Sequence, residues 1–344
     1  MSVRKAFTLP LMMALFALVS FTLIGQAAAQ TWAVEKTLHI GGDGGMDYIT
    51  VDEKNHRLYV PRSTHTMVID AESGKVVGDI LGQKHNHGVA IVPSAGRGFI
   101  TDGEGAIVIF DLKTNAVLGT LKAHADADGI IYDEASGLVL AVSGDDGVLM
   151  TIKPDVDPKT GSVDPDIQLG GKPEFLAADG AGKAYINLED KDQVAVVDIK
   201  ARKVLAHWSV APGGSPVGMA MDTKNRRLFI GCRKPQKMIV MNADDGKVLA
   251  DLPIGAGVDA TKFDGTHAFA SCRDGSLAVV AEKASKFEIV QTVTTSMGAK
   301  TIDVDMGAHK AYLPTFEFEE QKPGETGRPK AKPGSFMIVV VAKH

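Results

Sequence analysis

Residues Gly45 to Ile80 (GMDYITVDEKNHRLYVPRSTHTMVIDAESGKVVGDI) and residues 215–254 (SPVGMAMDTKNRRLFIGCRKPQKMIVMNADDGKVLADLPI) are two copies of one pattern. In the first copy, short apolar runs at Tyr48–Val51, Arg57–Val60, Thr66–Ile69 and Lys75–Ile80 predict four strands, separated by polar turns. Both copies close the first strand with an Asp (Asp52, Asp222). Both open the second with Arg-Leu-aromatic, and both place Gly-Lys-Val before the fourth. Four strands in a repeat of some forty residues is the signature of a β-propeller blade.

Aligned on the first strand, the pattern recurs seven times, opening at Asp47, His87, Asp128, Glu174, Val217, Asp259 and Lys300. The intervals are 40, 41, 46, 43, 42 and 41 residues, and the one long interval contains an insertion, Pro154 to Asp166. The predicted fold is therefore all-β: a seven-bladed propeller with four antiparallel strands per blade, forming a single domain over residues 30–344. The last repeat supplies only three strands, at Thr301–Asp305, Lys310–Leu313 and Phe336–Val341. A spare fourth strand, Trp32 to Ile40, lies at the front, and it is expected to pair beside Phe336–Val341 and remove an open edge.

The first 29 residues read as a secretory signal peptide. Arg4 and Lys5 precede the apolar run Leu9 to Ile24, and Ala27-Ala28-Ala29 offers a small-residue cleavage site. Export to the periplasm or the exterior is expected, with no membrane span after its removal. A net charge of −5 gives no nucleic-acid signal, which would call for a basic domain. Two segments depart from the repeat. The insertion at residues 153–166 carries four Asp residues without calcium-loop spacing and reads as an exposed turn. Residues 317–334, rich in Pro, Glu and Lys, read as a mobile surface loop.

In a propeller the first strand of each blade lines the central channel. The seven opening positions should therefore ring one mouth. Asp47, His87, Asp128, Glu174, Asp259 and Lys300 make that ring ionisable at every position but Val217. Carboxylates so close raise one another's pKa unless a cation compensates. They are the expected ligand-binding residues, and Asp47, His87, Asp128, Glu174 and Asp259 are the expected ligands if a divalent metal ion is bound. The second strands run back to the same mouth, ending at Arg62, Asp102, Ser143, Leu188, Cys232, Cys272 and Thr315. Cys232 and Cys272 thus hold equivalent places in adjacent blades, and three states are open to them: a disulfide, buried free thiols, or soft-metal ligands. Nucleophile-elbow, zincin and phosphate-loop motifs are absent, and Gly-rich Ile40 to Asp47 reads as a blade connector.

The chain resembles the YncE-like proteins built from YVTN-type repeats. The likeness rests on Arg57-Leu-Tyr-Val60 with Met67-Val-Ile-Asp70 and Gly74-Lys-Val-Val77, on Val194-Ala-Val-Val-Asp198, and on Arg227-Leu-Phe-Ile230. It spans residues 31–344 and implies an exported seven-bladed propeller without a settled activity. The first functional expectation is a monomeric binding protein whose small-molecule ligand or metal sits at the channel mouth. The others are a metal-dependent hydrolase of the lactonase type and a scaffold for a protein partner, using the outer faces and the 317–334 loop.

Overall fold

A computed structural model describes residues 31–321 and 327–344. Residues 1–30, on which the signal-peptide reading rests, lie outside the described residues. Among those described, seven four-stranded antiparallel sheets are present, and none of the helices is long and apolar enough to cross a membrane. Six sheets take their strands in chain order, from the first strand to the fourth. The seventh orders Asp303–Asp305, Lys310–Thr315, Met337–Lys343 and then the front strand Trp32–His39. The front strand pairs from Trp32 opposite Lys343 to His39 opposite Met337, with one bulge between Val34 and Lys36. The N-terminal strand thus closes the last blade.

The burial of each strand follows its place in the blade. Second and third strands, such as Arg57–Pro61 and Ala106–Asp111, are buried almost without interruption, because neighbouring blades cover both faces. That is why they read as unbroken Leu, Ile, Val and Phe runs. Outer strands such as Lys203–Ser209 alternate strictly between exposed and half-buried, because only one face meets protein.

The Asp residues that make the repeat visible are turn caps. Asp52 accepts the backbone N–H of Asn55 at 3.1 Å, Asp222 that of Asn225 at 3.0 Å, and Asp305 that of Ala308 at 2.7 Å. Asp70 and Asp111 do the same between the third and fourth strands, accepting from Ser73 and Thr114 at 2.8 Å each. Blade two lacks the first cap and turns instead through the short 3-10 segment Pro93–Ala95. The insertion in blade three joins its third strand, Val148–Ile152, to its two-residue fourth, Ile167–Gln168. The described ends of the 317–334 loop pair with each other through Phe318 and Ala331.

Both cysteines are free and buried. Burial pushes each thiol up to about 12. Neither should react with an aromatic disulfide reagent in the native state, and two thiols should titrate after unfolding; native labelling would contradict the burial.

Candidate site at the channel mouth

The opening positions owe their orientation to register breaks. Between first and second strands the pairing skips from Asn86 to Val89, from Ala127 to Ile130, from Pro173 to Leu176, from Pro216 to Met219 and from Val258 to Ala260. His87, Asp128, Glu174, Val217 and Asp259 fall in these breaks, freed from the ladder; the four ionisable ones turn toward the channel, and Val217 turns into the core. In blades one and seven the ladder starts later, at Thr50 and Asp303, so Asp47 and Lys300 precede it. Neighbouring blades hold the freed backbone. The carbonyl of His87 accepts from the Tyr48 N–H at 3.1 Å, that of Asp128 from Thr101 Oγ1 at 2.6 Å, and that of Asp47 from Thr301 Oγ1 at 3.1 Å. The following residue is glycine in blades two, three and five because the next blade leaves no room. A Cβ at Gly129 would stand 2.7 Å from the Glu174 carbonyl, and one at Gly218 would stand 2.6 Å from the Thr261 nitrogen.

The ring divides into two electrostatic groups. In the first, His87 Nδ1 lies 2.9 Å from Asp47 Oδ2 and 3.6 Å from Asp128 Oδ1. Among the described residues, these three alone bring potential metal-ligand atoms within 4.8 Å of one another. His87 Nε2 and Asp128 Oδ1 are both buried with no hydrogen-bond partner. Burial raises the Asp128 carboxyl well above its usual range, and the charges of Asp47, Asp126 and Asp259 add to that. Burial also works against Asp47, but Lys300 and His87 outweigh it and hold its pKa below the ordinary value.

The second group is compensated. Asp259 pairs with both Arg233 and Lys300, and Lys300 also reaches Asp47 at 3.3 Å. Arg233 stands 3.1 Å from Glu189 and 3.7 Å from Glu174. Burial, with hydrogen bonding to Glu189, pushes Glu174 up to about 9. Burial opposes ionisation of Glu189 as well, but hydrogen bonds from Glu174 and Ser215 and the charge of Arg233 bring its pKa below the ordinary value. The two carboxyls therefore share one proton at neutral pH.

An unfolded Glu titrates near 4.3. Between that value and about 9, folded Glu174 keeps a proton that the unfolded chain has released. Its contribution to stability therefore falls as pH rises through this window. Glu189, already ionised there, does not reverse the slope. Glu174→Gln should gain stability relative to the parent, by up to about 1 kcal/mol per pH unit, between pH 5 and pH 9. Urea unfolding at a series of pH values measures this, and parallel curves would refute the shared proton.

The structure thus brings together Asp47, His87 and Asp128, and places Asp259 and Lys300 in ion pairs beside them, with Glu174 against Glu189 and Arg233. Val217 is buried in the core. Sequence reading missed Arg233, Glu189 and Tyr48. Arg233 and Glu189 each follow an aligned second-strand end, Cys232 or Leu188. Strand alternation turns those ends into the packed blade, and turns the next side chain to the mouth. Reading the alternation one residue further would have found both. Arg62, another aligned end, is wholly buried away from the ring's carboxylates, in contact with the Gly41–Gly45 connector.

No family model matches the chain, and no curated protein matches it. Among solved structures it is similar to one titled hydrazine synthase, from Kuenenia stuttgartiensis, with a TM-score of 0.68 and 13% identity. The match covers 80% of this chain and 94% of that one. At that identity the likeness establishes the propeller fold alone.

Proposed function

We propose that this seven-bladed propeller is a binding protein whose channel mouth holds a divalent metal ion between Asp47, His87 and Asp128. The observation that carries this reading is the spacing of His87 Nδ1, 2.9 and 3.6 Å from one oxygen of each carboxylate. Ligands about 2.0–2.2 Å from a common ion lie about 3 to 3.5 Å apart. The unpartnered Asp128 oxygen supports the same reading, because a cation supplies the charge that its burial lacks. One imidazole with two carboxylates suits zinc, manganese or iron better than calcium, which prefers an all-oxygen shell. Glu174 and Asp259 sit outside this set: Glu174 holds its proton against Glu189, and Asp259 is paired with Arg233 and Lys300.

The chain is further read as exported, on the strength of residues 1–29, and as YncE-like, on the strength of its repeat motifs. The deciding experiment is elemental analysis of protein prepared without chelators, compared with Asp128→Ala. Stoichiometric metal in the parent, reduced at least tenfold in the variant, supports the site. Metal-free parent protein that also fails to take up zinc or manganese in titration refutes it.

A further inference from the structure

Beyond the charged ring, the same inner strands line a second, half-open pocket of about 220 Å³. Tyr48 and Phe175, their rings 4.7 Å apart, form part of its wall. Tyr48 also stands against the mouth. Burial and the charges of Asp128, Asp259, Glu174 and Asp47 hold its hydroxyl well above the ordinary value. The remaining wall is mostly aliphatic and aromatic, including Ile91, Ile131, Tyr132 and Ile302. An apolar cavity of about 150 Å³ is enough to bind benzene, so this chamber accommodates one ring with a small substituent.

Its polar groups are unevenly used. Lys262 Nζ lies 3.0 Å from Asp303 Oδ1 and 5.9 Å from the centre of the Phe175 ring. Asp303 is occupied: besides Lys262, its two oxygens accept the backbone N–H of Val51 at 2.8 Å and of Val304 at 3.0 Å. Lys262 has three N–H donors, and Asp303 is its one carboxylate partner among the described residues. The Lys262 side chain is 28% exposed, so an acceptor in the chamber would replace water on its free donors, and the ammonium favours an anionic one.

We propose that this chamber binds a small aromatic carboxylate, with its ring beside Phe175 and its carboxylate on Lys262. This site is separate from the metal-binding reading and does not depend on it. Benzoate is the probe, with benzyl alcohol and benzylamine as controls of equal ring size and different charge. Saturation-transfer NMR and calorimetry on the full chain should show saturable benzoate binding that is unaffected by EDTA. Lys262→Met, or Lys262→Gln if the first does not fold, should weaken benzoate at least tenfold and leave benzyl alcohol within twofold. Ile91→Trp, which fills the chamber, should abolish both. Absent or unsaturable benzoate binding overturns the proposal, as does equal binding by the lysine variants or stronger binding of benzylamine. Loss of benzoate binding in EDTA would place the probe on a metal at the mouth, and would overturn it equally.

Discussion

Removing residues 31–40 should abolish the cooperative thermal transition of this protein, or lower its midpoint by more than about 15 °C, measured by circular dichroism and calorimetry. The segment is remote in sequence from everything it holds. Its strand, Trp32–His39, supplies the fourth position of the last blade, and Leu38 joins the core formed with Ile338 and Val340. Trp32 is 2% exposed and packs edge-on against Phe269 of blade six, with ring centres 4.9 Å apart. Gln291, in the outer strand of blade six, clasps the Trp32 backbone from both sides, accepting its N–H at 2.9 Å and donating to its carbonyl at 2.6 Å. The front strand therefore completes one blade and fastens it to the next. Without it, Met337–Lys343 becomes an open apolar edge, and the truncated chain should also aggregate. Trp32→Ala alone should cost about 3–5 kcal/mol. An unchanged melting temperature in the deletion would show that the ring closes by other contacts.

The second large effect is expected at Arg62. This guanidinium is wholly buried. Its Nε donates to the Gly45 carbonyl at 2.7 Å, while Nη1 and Nη2 reach the carbonyls of Gly41, Gly42 and Gly44 at 3.1 to 3.3 Å. Its carbon lies 3.8 Å from the centre of the Phe336 ring. Burial lowers its pKa to about 10, so it stays charged at neutral pH. A single side chain thus satisfies the connector between the closing strand and the first blade. Arg62→Ala leaves those carbonyls without donors and should cost about 4 kcal/mol, or roughly 6 °C in melting temperature. Arg62→Lys should recover little, because an ammonium lacks the planar fork that reaches several carbonyls at once. Full stability in the lysine variant would show that charge, rather than geometry, is what the connector requires.

The two effects differ in how far they could be foreseen. The orphan strand at Trp32 was visible because the last repeat was one strand short, and propellers close their rings. Arg62 carried no such mark. Its position aligned with Asp102, Ser143 and Cys232, and only the path of the Gly41–Gly45 connector turns it into an anchor.

Blade number, strand order, turn caps and the opening positions were determined by the sequence alone. They rest on short-range physics: strand alternation, Asp side chains that cap turns two or three residues ahead, and the steady spacing of both. The partners at the mouth were decided by the tertiary structure. Lys300 meets Asp47 across 253 residues, and Arg233 meets Glu189 and Glu174 across 44 and 59. No local pattern encodes which of the ring's carboxylates receives a cation. That depends on ring closure, which brings first and last blades side by side and leaves Asp128 as the carboxylate with a bare buried oxygen.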